Sequence, residues 1–163
     1  MIIKLLKEEG CPSWVIKHSI RVCKKAKEIS KNFDVDEKLI EEAALLHDIG
    51  RSKTNGIEHG IIGAELAIKH GFSNKIANII EKHIGSGISK DEAINLGLPP
   101  KNYIPITIEE KIISHADNLT NGDEEVDINF TINKWKGKNL NNLEEAIARL
   151  KKTHKELITD FEE

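Results

Sequence analysis

Apolar residues return at three- and four-residue intervals along nearly the whole chain, and no clear stretch alternates with a period of two. That pattern confines the chain to helices packed on helices, because a half-buried strand needs alternation to separate its faces. The fold class is therefore read as all-α. Residues 2 to 9 form a short amphipathic helix ended by Gly10. Pro12 suits the first turn of a second helix that runs to about Phe33, with Val15, Val22, Ala26, Ile29 and Phe33 inward. Asp36 caps a third helix carrying Leu39, Ile40, Ala43, Ala44 and His47, and Gly50 reads as the residue that stops it. Further helices are expected over 58–70, from Ser73 to about His83, and over a short span ending at Leu96. Ser89 with Glu92, and Thr107 with Glu110, are capping boxes, the second opening a helix over 108–119. A turn at Asn121-Gly122-Asp123 precedes a short helix near 124–134 and a last helix to about Phe161, which packs on the bundle.

At 163 residues with no repeat or linker, the sequence reads as a single domain over 1–163. Its 39% hydrophobic and 31% charged residues are the balance of a soluble globular chain. The net charge of -3 gives no indication of nucleic acid as a partner. No apolar run approaches a membrane span, and the start resembles no signal peptide, so a cytoplasmic location is expected. Cys11 and Cys23 lack the spacing of a redox or zinc motif and are expected as buried free thiols.

The chemistry is concentrated in histidines and aspartates on apolar helix faces. His18 lies four residues from both Trp14 and Val22. His47 follows Ala43 and Ala44, His83 follows Ile79 and Ile80, and Asp117 follows Ile113 by four. Each projects from an apolar stripe of a different helix, which is how helical bundles bring metal ligands together in a core. His59 joins them just after the loop that leaves Asp48. A carboxylate such as Asp48, placed beside apolar residues, needs a cation or a donor opposite it.

These residues resemble a known family. His18, His47-Asp48 and Asp117 are similar to the H…HD…D signature of the HD superfamily of metal-dependent phosphohydrolases, and His47-Asp48-Ile49-Gly50 to its HDIG form. His59-Gly60-Ile61-Ile62-Gly63-Ala64 and His83-Ile84-Gly85-Ser86-Gly87 resemble the extra histidine segments of the two-metal branch, which includes bacterial dinucleoside-tetraphosphate hydrolases. The resemblance covers about residues 12–120 and implies an HD-domain helical bundle with a C-terminal extension over 121–163. It implies one metal on His18, His47, Asp48 and Asp117, and a second on His59 and His83 with Asp48 bridging. Mixed imidazole and carboxylate ligation suits iron, manganese, cobalt, nickel or zinc.

The implied activity is hydrolysis of a phosphate ester or anhydride in a nucleotide or other small phosphorylated substrate by a metal-activated hydroxide. Asp48 would position the metals and Asp117 would also orient the attacking water. Arg51, Lys53 and Arg21 are the candidate phosphate contacts. The loop 84–106, with Tyr103, is expected to wall the pocket, and Gly85-Ser86-Gly87 either admits a ligand close to the backbone or only stops a helix. His115 is expected to be structural, and His70, His154, Lys17 and Lys82 to be solvated. Two other readings stand beside hydrolysis: a non-catalytic metal-binding module that regulates or docks on a partner, and an oxygenase on a di-iron centre.

Overall fold

The computed structural model describes residues 1–161. Helix α1 (Ile2–Glu9) ends at Gly10 as expected. Helix α2 (Ser13–Ser30) starts one residue past Pro12 and stops short of Phe33. Asp36 accepts hydrogen bonds from the amides of Lys38 and Leu39 and so opens α3 (Glu37–Leu46); a cap of this kind contributes about 1 kcal/mol. After α4 (His59–Lys69), Ser73 opens α5 (Asn74–Glu81). Both capping boxes form, at α6 (Lys90–Asn95) and α7 (Ile108–Asn118). Helices α8 (Ile128–Lys136) and α9 (Leu143–Leu157) complete the set, with Asp127 capping α8 four residues later than its expected start.

Two local expectations change. The Asn121-Gly122-Asp123 turn joins a two-stranded hairpin, Thr120–Asn121 paired with Glu124–Glu125. These strands are too short to show any alternation. Gly50 does not stop α3. That helix ends at Leu46, and Gly50 lies inside a 3₁₀ turn over Ile49–Ser52. A Cβ at Gly50 would stand 1.9 Å from the carbonyl oxygen of His59. Glycine is needed there because the 3₁₀ turn and the start of α4 touch backbone to backbone.

Two apolar cores hold the bundle. One joins α2, α3, α5 and α7 through Val22, Ala26, Ile40, Ala43, Ile79, Ile112 and Ile113, closed by Leu157 of α9. The other joins α1, the start of α2, α3, the Ile49–Ser52 turn, α4 and α5 through Leu6, Val15, Leu46, Ile49, Leu66 and Ile80. Helices α8 and α9 pack on one another through Ile132, Trp135, Ala146 and Leu150. Cys11 and Cys23 are buried free thiols. Among the described residues, no helix is long and apolar enough to cross a membrane.

Candidate metal centre

Six side chains from five segments converge between the two main cores. His18 comes from the middle of α2, His47 and Asp48 from the end of α3, His59 from the first position of α4, His83 from just past α5, and Asp117 from the last turn of α7. Asp48, at 3% exposure, lies at the centre of the group. Its Oδ1 is 3.3 Å from His59 Nε2 and 3.2 Å from His83 Nε2. Its Oδ2 is 3.5 Å from His47 Nε2 and 3.6 Å from His18 Nε2. Asp117 Oδ1 completes the second side, 2.8 Å from His18 Nε2 and 3.4 Å from His47 Nε2.

All four rings are oriented in the same way. Each turns Nδ1 to a main-chain carbonyl: His18 to Gly122 at 2.6 Å, His47 to Ala44 at 2.6 Å, His59 to Gly56 at 2.8 Å and His83 to Ile80 at 2.6 Å. A carbonyl can only accept, so Nδ1 carries the proton and Nε2 is left as the lone pair or the site of a second proton. Yet every Nε2 faces an acceptor. His59 Nε2 and His83 Nε2 stand 3.2 Å apart, and His47 Nε2 is buried with no hydrogen-bond partner.

The charges press in the same direction. Burial works against a charged ring at His47, but Asp48 and Asp117 outweigh it and lift this group to about 9. His18 is raised for the same reasons, Asp117 being its main support against burial. His83 goes the other way: burial pushes it down, and only Asp48 resists appreciably. Despite burial, Asp48 and Asp117 are held well below the ordinary carboxylate range by the histidines around them. The cluster demands positive charge, and protons cannot supply it on every ring at once. Divalent cations fit. Ligands at about 2.1 Å from a tetrahedral ion lie about 3.4 Å apart, close to the donor spacings here. His18, His47 and Asp117 form one group able to hold an ion, and His47, Asp48 and His83 another.

Comparison with known proteins agrees with this geometry. The HD domain family model matches residues 15–122. The chain belongs to the HD domain family. Uncharacterized protein MJ0778 of Methanocaldococcus jannaschii is 50% identical over 137 residues, covering 79% of this chain and 81% of the relative. The tRNA (cytidine(56)-2'-O)-methyltransferase of Picrophilus torridus is 43% identical over 155 residues, 95% of this chain but 45% of that protein. Ribonuclease Y of Enterococcus faecalis is 30% identical over 129 residues, 72% of this chain and 25% of that protein. The chain thus spans less than half of both these larger relatives. The HD domain of L. monocytogenes phosphodiesterase PgpH shares the fold at a TM-score of 0.58 and 17% identity, over 98% of this chain and 96% of that one.

Two cavities open onto this histidine and aspartate cluster. One, of about 210 Å³, is lined by His18, Asp48 and Asp117. The other, of about 440 Å³, is lined by His59, His83 and Asp117. Arg51 lines both, with its Nε 3.3 Å from Asp48 Oδ2 and its guanidinium 5.7 Å from the centre of the Trp14 ring. The other two candidate phosphate contacts turn elsewhere. Lys53 pairs with Glu9 at 3.2 Å, and Arg21 donates to the carbonyl of Asp123 at 2.9 Å. Neither lines either of these two cavities, because their backbone positions direct them to α1 and to the hairpin.

Residues 84–88 wall the larger cavity as expected, but Tyr103 does not. It is 2% exposed in a small core with Ile88 and Ala93. Gly87, at φ 105, is required because a Cβ would meet Ile104 and Pro105 within 3 Å. Lys82 is not solvated but pairs with buried Glu110 at 3.1 Å. His70 pairs with Glu9 at 2.6 Å, and His154 with buried His115 at 2.8 Å. Sequence reasoning missed the C-terminal contribution: Phe130, Lys134 and Trp135 of α8 and residues 138–142 line the cavities. The available signal was the presence of two large aromatics near one end of a chain with only 4% aromatic residues.

Proposed function

We propose that this HD domain is a metal-dependent phosphohydrolase that cleaves a phosphate ester or anhydride of a nucleotide. The reading rests on one observation: the two oxygens of Asp48 face two different sets of nitrogen donors, 3.2 to 3.6 Å away. A carboxylate so placed suits the bridge of a two-ion site. On this reading His18, His47, Asp48 and Asp117 would hold one ion, and His59, His83 and Asp48 would hold a second. When bound, such ions lower the pKa of water toward neutrality and polarise a phosphoryl oxygen.

The chain's own residues supply the rest. The carbonyl contacts at Nδ1 fix the four imidazoles, so the donors need no reorganisation when charge develops on phosphorus. Asp117 lines both cavities and orients the attacking water. Arg51, braced by Trp14 and Asp48, offers a planar cation to the phosphoryl oxygens. The methyltransferase and ribonuclease relatives are named for RNA, which supports a nucleotide phosphate as the substrate class. The histidine segments that resemble dinucleoside-tetraphosphate hydrolases add nucleotide anhydrides to the range to be screened.

The test joins metal analysis of protein prepared without chelator to a screen of phosphate esters. Two transition-metal ions per chain are expected, with hydrolysis that disappears in Asp48→Asn while the far-UV circular dichroism stays helical. Hydrolysis that survives this change would remove the mechanism. Stoichiometric metal with no turnover on any phosphate substrate would favour the binding-module reading instead.

A further inference from the structure

One of the four imidazoles is held unlike the others. His47, His59 and His83 each meet the carbonyl three residues before them, that of Ala44, Gly56 and Ile80. These three sit at or beside a helix end, where the helical ladder is incomplete. His18 lies inside α2, where the carbonyls of the preceding turn are spent on helical amides. Its acceptor is the carbonyl of Gly122, 104 residues further on, at the tip of the hairpin. The same short segment serves its other nitrogen. Asp117 Oδ1 is 2.8 Å from Nε2 and the Gly122 carbonyl 2.6 Å from Nδ1, so residues 117–122 grip the ring at both ends. The two acceptors compete for the one proton of the neutral ring. On Nε2 the proton faces Asp117 and blocks a metal; on Nδ1 it faces Gly122 and leaves the Nε2 lone pair to ligate.

The Gly122 carbonyl can win that competition only while the hairpin stays in place. Helix α2 itself secures it. Arg21 and Lys25 follow His18 by one and two turns on the same face. Arg21 Nε donates to the Asp123 carbonyl at 2.9 Å, and Lys25 pairs with Glu125. On the other side Thr120 Oγ1 donates to the Ala116 carbonyl at 2.8 Å, and Lys134 Nζ to Asn121 Oδ1 at 3.2 Å. Gly122 itself takes φ 64 at the turn, where a side chain would be strained. We infer that Arg21 and Lys25 are positioning residues for His18: they clamp the 120–125 hairpin so that the Gly122 carbonyl keeps the imidazole in the form that binds a metal through Nε2. This rests on the metal site of the reading above, but not on its substrate or its turnover. Arg21, which in sequence looks like a phosphate contact, acts through the hairpin instead. The clamp is also one-sided. His59 and His83 draw their acceptors from their own segments, so binding there does not depend on it.

Zinc binding to chelated protein labelled with 15N-histidine tests the inference, with NMR following each ring against a competing chelator. Arg21→Ala and Lys25→Glu should each weaken zinc binding at His18 roughly tenfold, the low end of what losing the outer partner of a ligating imidazole costs. Binding at His59 and His83 should not change. Lys25→Glu combined with Glu125→Lys should restore binding at His18, which a general loss of stability would not do. In metal-free protein, at a pH where the His18 ring is neutral, the share carrying its proton on Nδ1 should fall in both single variants and return in the charge-swapped one. Wild-type affinity at His18 in both single variants, equal weakening at all four histidines, or an unaltered His18 tautomer would each overturn the inference. A wild-type chain that binds no zinc would overturn it together with the metal site. The expected pattern of binding with no turnover of any phosphate ester would sink the phosphohydrolase reading and leave the clamp standing.

Discussion

Gly50→Ala adds one carbon and two hydrogens, yet it should dismantle half of the candidate metal centre. The new Cβ would lie 1.9 Å from the carbonyl oxygen of His59, 2.8 Å from the amide nitrogen of Gly63 and 2.8 Å from the carbonyl carbon of His59. All three are backbone atoms, so no side-chain rotation relieves the overlap. The start of α4 and the Ile49–Ser52 turn must separate by more than about 1 Å to bring the shortest contact to a tolerable distance. His59 rides on that start, so its Nε2 leaves the 3.3 Å contact with Asp48. The His18, His47 and Asp117 group sits on α2, α3 and α7 and is not displaced directly. Overpacking of this kind costs about 3 kcal/mol, which for a chain of this size lowers Tm by roughly 6 to 12 °C. Thermal unfolding of chelated protein reads the packing cost without the metal, and elemental analysis of untreated protein reads the ions. The expected result is a lowered Tm with metal content falling from two ions per chain to one. Wild-type Tm together with full metal content would refute the claim that backbone contact at Gly50 positions His59.

Three further outcomes follow from the charges and contacts. In metal-free protein, His47 is raised to about 9, so its stabilising protonation is fully present below about pH 6.5 and is lost as pH rises through 9. Urea unfolding of chelated protein should therefore show stability declining over that window by about 1 to 3 kcal/mol, while the metal-loaded protein, whose ions replace the proton, shows no such decline. His115 behaves in the opposite sense: burial and the neighbouring His154 hold it down to about 3, so it folds neutral. Stability should then fall by about 1.4 kcal/mol per pH unit as pH drops below about 6.5, and a slope unaltered in His115→Gln would count against this. Glu110, itself 4% exposed, accepts from the amides of Ile106 and Thr107 and pairs with Lys82. Glu110→Ala should cost about 3 kcal/mol in urea unfolding by stranding these donors; a loss under 1 kcal/mol would show that water replaces the carboxylate.

Much of this protein is written in local sequence. Three- and four-residue spacing gives the helices, and Asp36, Ser73, Ser89 and Thr107 mark where four of them begin. These signals are legible because caps and periodicity act over a few neighbouring residues. The six ligand-type residues are legible too, since a histidine or aspartate on an apolar stripe needs a partner inside. Tertiary packing decided the rest. His18 and Asp117 are 99 residues apart in sequence and 2.8 Å apart in space. Asp48 acquires two distinct sides only when α4 and α5 close on one of them and α2 and α7 on the other. Gly50 looks like any helix stop until α4 is laid against it, and Arg51, Lys53 and Arg21 look alike until the fold gives two of them other partners. Residues 130–142 gain their place at the cavities in the same way. Local spacing specifies what each segment can offer, but only the packed chain determines what stands opposite it.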